Sequence, residues 1–130
     1  MQGGIDDPDK VMNIRRVVPD INTNRMEESV KFYTEFLGMR LAMDMGWIVT
    51  LVSPSNVTAQ INLLRVDKSP AVPSAVAVSF EVEDVDEMHA KAVAQGIPIV
   101  YPLTDEKWGV RRFHVTDPNG VLINVMMHSK

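Results

Sequence analysis

Apolar residues recur along this chain at two spacings that alternate. Residues 14–21 read as an extended segment, with Ile14, Val17, Val18 and Ile21 as its apolar positions. Pro19 cannot donate to a ladder, so this segment belongs at a sheet edge or a strand end. At Asn24 the spacing turns helical: Met26, Val30, Tyr33 and Leu37 form one stripe, which Phe36 widens. Asn24 is the predicted cap, with Glu27 three positions on to complete a capping box. Glu27 and Glu28 fall in the first turn, the end that favours negative charge. Gly38 then terminates the helix. Three extended segments follow, residues 40–45, 47–53 and 58–65, the last two joined by the turn formers Pro54, Ser55 and Asn56.

The same order then returns. Residues 76–82 predict a strand, and Asp84 caps a second helix with Glu87 in the third position. Val85, Met88, Ala92 and His89 line its inner face, and Gly96 ends it. Residues 97–101 predict a short strand, 102–107 a loop, 110–116 a strand and 121–127 the last strand. The final two are joined by Asp117-Pro118-Asn119-Gly120, where Pro118 presets φ and Asn119-Gly120 tolerates positive φ. The cap residues stand 60 positions apart (24 to 84) and the terminal glycines 58 (38 to 96), so the spacing points to an internal duplication. A module of this size has too little core to stand alone, and pairing two of them buries both sheets. The predicted organisation is an α+β domain of two paired βαβββ modules, residues 11–66 and 75–130. Residues 1–10 form a frayed N-terminus, and residues 67–74, with Pro70 and Pro73, form the linker.

Composition narrows the chemistry. With 130 residues, 45% of them hydrophobic and 23% charged, the chain can build one core, and disorder is disfavoured. It has no cysteine, which excludes a disulfide framework, a thiol nucleophile and thiolate metal sites. A net charge of -4 and the lack of a basic stripe beyond Arg15/Arg16 and Arg111/Arg112 argue against nucleic acid. No run reaches the length of a membrane span, and the first residues lack the pattern of a secretory leader, so a cytoplasmic location without membrane contact is expected.

The residues Glu28-Ser29-Val30-Lys31-Phe32-Tyr33, Phe36-Leu37-Gly38-Met39, Phe80 to Asp86, Trp108 to Phe113, and Asp117-Pro118-Asn119-Gly120 together resemble the vicinal oxygen chelate superfamily. That superfamily holds glyoxalase I, bleomycin-resistance proteins and extradiol dioxygenases. The resemblance runs from about residue 12 to residue 128 and implies curved mixed sheets around a ligand cavity, usually in a homodimer. It also implies, for metal-dependent members, one ligand on the first and one on the last strand of each module. Those positions fall here on Val18, Asn62, Ala77 and Asn124, with Gln60 as the neighbour of Asn62. Two are hydrocarbon and two are neutral amides, a poor donor set for a divalent ion. The resemblance therefore implies no metal, no cofactor and no catalytic residue. It favours a non-catalytic protein that holds a small organic molecule, as the bleomycin-resistance branch holds drug, in antibiotic or metabolite sequestration. An isomerase or lyase of the same superfamily is the alternative, and a structural or regulatory dimer with a degenerate cavity a third reading.

Seven residues are the expected ligand contacts. Asn62 and Asn124 present one acceptor and two donors each, and Gln60 lies beside Asn62. Trp108 and Trp47 offer flat surfaces for stacking. His114 alternates onto one face of its strand, and Arg111, or its neighbour Arg112, offers a partner for a ligand carboxylate. Each also has an ordinary structural reading: core packing for the tryptophans, sheet-surface hydrogen bonding for His114, an intrachain ion pair for the arginines.

Overall fold

A computed structural model describes residues 15–68 and 77–129 of the chain. The first module runs β1 (Asp20–Thr23), α1 (Met26–Lys31) with a π-helical turn over Phe32–Phe36, β2 (Arg40–Asp44), β3 (Ile48–Val52) and β4 (Gln60–Arg65). The second runs β5 (Ala77–Glu81), α2 (Val85–Ala94), β6 (Tyr101–Asp105), β7 (Val110–Thr116) and β8 (Leu122–His128). The sheet orders are β1-β4-β3-β2 and β5-β8-β7-β6. In each, the first and last strands pair in parallel and the others are antiparallel. The two βαβββ modules of an α+β fold are therefore present, as the repeat predicts.

One face of each sheet is apolar and packs on helix. Ile21, Val49, Leu51, Ile61 and Leu63 from the first sheet join Phe113, Val115, Ile123 and Val125 from the second in a single core. Met26, Tyr33 and Phe36 from the first helix and Val85 and Ala92 from the second complete it. Strand alternation puts the polar set on the other, open face. Among the described residues, no helix is long and apolar enough to cross a membrane.

Several boundaries differ from the sequence reading. β1 begins at Asp20; residues 15–19 join no ladder, and Ile14 lies outside the described residues. Pro19 supplies only its carbonyl, accepting from the Asn62 amide at 2.9 Å, and pairing starts there. Asn24 does not cap α1. Arg25 is in the cap position without a side-chain cap bond, and the Thr23 hydroxyl accepts from the Arg25 amide at 2.8 Å. The buried stripe of the first helix is Met26, Ser29, Phe32, Tyr33 and Phe36, with Val30 and Leu37 only partly covered. It is turned because Ser29 joins a polar network and the helix widens into the π turn. There Thr34 bonds back through Oγ1 to the Val30 carbonyl at 2.7 Å, a contact that commonly bends helices. Asp84 does cap α2, accepting from the Glu87 amide at 3.0 Å.

In the second module residues 97–100 join no strand, and β6 occupies most of the predicted loop. Pro102 disguises it. The strand lies at the sheet edge, where a missing donor is tolerated, and its register slips between Tyr101 and Thr104. Of the expected linker, Asp67 and Lys68 form a bend, and residues 69–74 lie outside the described residues, as does the predicted strand's first residue, Val76. Residues 1–10 lie outside them as well.

Candidate functional site

The internal repeat places two equivalent rows of polar side chains on the open faces. In the first module Asp20, Asn62 and Thr50 stand side by side on β1, β4 and β3. Thr50 Oγ1 donates to Asn62 Oδ1 at 2.6 Å, and Asn62 Nδ2 donates to Asp20 Oδ1 at 2.9 Å. This row is internally satisfied. In the second module Ser79, Asn124 and His114 take the same places on β5, β8 and β7. Asn124 Nδ2 donates to Ser79 Oγ at 3.0 Å, but Asn124 Oδ1 and His114 Nε2 are buried atoms without a hydrogen-bond partner. Each such atom costs about 1–3 kcal/mol in desolvation until something pairs with it. His114 and Asn124 face each other across the β7–β8 ladder and Asn124 already acts on the ring, so the second row is the less completely satisfied of the two rather than a fully unpaired one.

An aromatic and cationic stack extends that row toward the sheet edge. The His114 ring lies on Tyr101, centroids 4.8 Å apart and planes 32° apart. The Arg112 guanidinium sits 5.3 Å from the Tyr101 ring centre and 5.4 Å from that of Trp108. Glu106 holds the stack by accepting from Tyr101 Oη at 2.8 Å and from Arg112 Nε at 2.7 Å. Those two bonds, the tyrosine's first, keep the Glu106 carboxyl below its usual range. Burial, and then Arg112, lower the His114 pKa, while Asn124 and Glu106 pull it partly back. The imidazole is therefore neutral at neutral pH, with one nitrogen available as acceptor or donor according to tautomer. Trp108 remains 65% exposed, so its outer surface is open to a planar group.

Of the seven expected contacts, the structure brings together Asn124, His114 and Trp108, with Arg112 rather than Arg111 between them. Arg111 alternates onto the helix face, where Asp86 at 2.8 Å and Asp105 at 3.0 Å hold its guanidinium. The bonds to these carboxylates raise its pKa and lower that of Asp86. Asn62 and Gln60 are on the other sheet. Gln60 Oε1 accepts from Arg16 at 3.3 Å and Gln60 Nε2 donates to the Val57 carbonyl at 2.7 Å. Trp47 stands 58% exposed in the β2–β3 turn, the counterpart of the turn that carries Trp108. Sequence reasoning missed Tyr101, Glu106, Ser79, Thr50 and Asp20. Strand register would have found Ser79 and Thr50 as neighbours of the two asparagines, but Tyr101 stood at the end of a predicted strand with no partner assigned, and Glu106 fell in the predicted loop just past β6.

A groove of about 850 Å³ lies between the modules. Pro19 and Gln60 border it on one side, Leu37 and Met39 line it, and Val78 to Glu83 border it on the other. It touches neither Asn62 nor Asn124, and meets the second row only through Ser79. This groove and the unpaired polar atoms are thus neighbours. The row has the better claim to chemistry, because its unpaired atoms are buried, whereas the groove's polar lining, Asn56, Gln60, Glu81 and Glu83 among it, is open to water.

The residues do not fit a metal ion. Val18 and Ala77 have no donor, and the Asn62 oxygen is already taken by Thr50. The Asn124 oxygen brings no charge to offset a divalent ion. Among the described residues, no three His, Cys, Asp or Glu side chains are grouped to hold one.

A family model described as Glyoxalase/Bleomycin resistance protein/Dioxygenase superfamily matches residues 13–125. Solved structures share the fold. A member of that superfamily from Sphaerobacter thermophilus is 22% identical with a TM-score of 0.74, covering 91% of this chain and 100% of its own. TioX from Micromonospora sp. ML1 is 24% identical with a TM-score of 0.72, covering 87% and 98%. A glyoxalase/bleomycin resistance protein/dioxygenase from Nocardioides is 23% identical with a TM-score of 0.71, covering 93% and 87%. At such identities the likeness shows the fold alone. Among functionally curated proteins none matches.

Proposed function

Because this chain belongs to the glyoxalase/bleomycin resistance protein/dioxygenase superfamily, we propose that it binds a small organic molecule on its open sheet faces and releases it unchanged. The observation that carries this reading is the pair of unpaired buried atoms, His114 Nε2 and Asn124 Oδ1, beside the Tyr101–Arg112–Trp108 stack. A ligand with a flat ring and one or two hydrogen-bonding groups suits this surface: the ring covers Trp108, and a rotation of His114 or Asn124, whose unpaired atoms are covered as they stand, turns them toward the polar groups. Isomerisation and ring cleavage in this superfamily draw on a metal that polarises oxygen, and the four positions described above offer no donor set for it. Sequestration of an antibiotic or metabolite is the biological role that such binding serves.

Native mass spectrometry of protein purified from its own host tests the reading. The expected result is a retained organic molecule of a few hundred daltons, lost from the Asn124→Ala variant. A stoichiometric divalent ion held through Asn62 and Asn124 would overturn it.

One observation favours a second reading, a metal-free isomerase or lyase. A neutral histidine with an unpaired nitrogen is a competent general base. Turnover by the wild-type protein, abolished in His114→Gln with ligand affinity retained, would select this reading over sequestration.

A further inference from the structure

The two neighbouring arginines of β7 are covered to a similar degree, with 30% and 25% of the side chain exposed, yet they are bonded differently. In Arg111 every guanidinium nitrogen has an acceptor. Nε and Nη2 donate to Asp86 at 3.3 and 2.8 Å, and Nη1 donates to Asp105 at 3.0 Å. In Arg112 only Nε has one, Glu106 Oε2 at 2.7 Å, the oxygen that also accepts from Tyr101. Arg112 Nη1 and Nη2 have no hydrogen-bond or ion-pair partner among the described residues, and neither is among the buried atoms left unpaired, so both reach solvent. Glu106 on one side and the Tyr101 and Trp108 rings, 5.3 and 5.4 Å away, already hold the guanidinium in place. A fork of two N–H donors fixed in advance recognises a carboxylate through two parallel bonds, with little ordering left to do on binding.

We infer that the small molecule is an aromatic carboxylic acid, its carboxylate bound by Arg112 Nη1 and Nη2 and its ring laid on Trp108. This rests on the binding function proposed above and adds the charge and class of the ligand. One guanidinium carries one positive charge and suits a monoanion, whereas a phosphate dianion would leave a charge unmatched beside Glu106. Glu81 is the other acid of this open face. It shares the cross-strand row of Arg112 but stands beyond Met126, two strand spacings or about 10 Å away. At that separation exposed charges are largely screened at physiological salt, and His128 Nδ1 lies 2.8 Å from the Glu81 carboxylate. The guanidinium is close to the indole, so the acid group belongs on the ligand's ring or one carbon from it. The net charge of -4 works against any anion, so a preference for one has to be local, from Arg112 itself.

Isothermal titration calorimetry of the full chain at neutral pH tests this with 2-naphthoate and its neutral isostere 2-naphthamide, far-UV circular dichroism confirming the fold of each variant. Wild type should bind the carboxylate at least about tenfold tighter than the amide, the ratio expected of one charge-assisted pair. Arg112→Gln should reduce that ratio to about twofold or less, and Arg112→Lys, which keeps the charge and loses the fork, should fall between. Arg111→Gln should leave the ratio within about twofold of wild type. Equal binding of the two probes by wild type overturns the inference, and so does a ratio that survives Arg112→Gln, or binding of neither probe. Mass spectrometry of the molecule retained from the host separates this failure from that of the binding function. A retained molecule without an acid group overturns the carboxylate while binding stands, and a protein that retains nothing and binds neither probe loses both.

Discussion

Tyr33 Oη donates to Asp117 Oδ2 at 2.7 Å, joining residues 84 positions apart and both modules in one buried bond. The other carboxylate oxygen accepts from the Asn119 and Val121 amides at 2.8 and 2.9 Å, so Asp117 shapes its turn and docks it at once. Burial, and then the adjacent carboxylate, push the tyrosine pKa far up, so its hydroxyl stays a donor at any working pH. Tyr33→Phe should lower stability by about 1–3 kcal/mol, because the carboxylate oxygen loses its best donor in a dry site. Urea unfolding of Tyr33→Phe, Asp117→Asn and the double variant is the measurement. Strict additivity of the two effects would show that the bond does not couple the modules.

The same boundary carries a second, neutral network. Thr23 Oγ1 donates to Asn119 Oδ1 at 2.6 Å, Ser29 Oγ lies 3.1 Å from the Thr23 hydroxyl, and Asn119 Nδ2 donates to Ser29 Oγ at 3.0 Å. Its threonine also fixes the entry to α1, accepting from the amide of the cap residue Arg25, while no side chain caps the helix itself. Thr23→Val should therefore destabilise by about 1–3 kcal/mol, and Asp84→Ala, at the true cap of α2, by about 1 kcal/mol. Asn24→Ala should stay within about 0.5 kcal/mol of wild type. Thermal unfolding of the three ranks them, and a large loss at Asn24 would restore the cap that the geometry denies.

These particulars show what was legible in the sequence. Apolar spacing, the glycine stops and the Asp117 turn gave the element order, because each is a local signal with a fixed geometric meaning. At Gly38 and Gly96, φ is +76° and +70°, as a helix stop requires. The asparagines were legible as polar residues on central strands. Their partners were not, since which residue lies beside Asn124 is a matter of register between strands that the sequence lists 45 positions apart, as with Ser79. The inversion of Arg111 and Arg112 has a similar origin. Alternation separates the two faces correctly, but only the position of α2, with Asp86 on it, says which face is open. Pro102 hid the rest of β6 and with it the register that sets Tyr101 beside His114, because a proline reads as a break unless the strand is known to be an edge.

The lowered His114 pKa has a consequence for stability with a definite sign. The unfolded chain takes up this proton near the ordinary value of about 6.5, at a pH where the folded ring is still neutral. The contribution of the neutral ring is therefore complete above that value and is lost as the pH falls through it toward the folded pKa. Set against His114→Gln, wild type should lose part of its advantage between neutral pH and mild acid. Equilibrium unfolding of both proteins at several pH values across that window reads the effect, and a gap that stays constant or widens in acid would contradict a ring held neutral by burial.

Arg111 and Arg112 are adjacent in sequence yet should separate cleanly in a binding experiment. Arg112 lies between Tyr101 and Trp108 on the open face, whereas Arg111 is held by Asp86 and Asp105 on the helix side. Trp108→Ala removes the outer stacking surface, and Arg112→Ala leaves Glu106 without its cation and the Tyr101 ring without its cover. Each should weaken the organic ligand retained from the host by about ten- to a hundredfold, the range for truncating an aromatic or arginine anchor. Arg111→Ala should leave affinity within about twofold, since additivity fails only for groups in contact or sharing partners. In a Trp47→Phe background the remaining indole is Trp108, and its emission should shift on binding as the exposed ring is covered. Equal losses from Arg111→Ala and Arg112→Ala, or an indole emission that ignores the ligand, would place the binding surface elsewhere, with the groove between the modules as the next place to look.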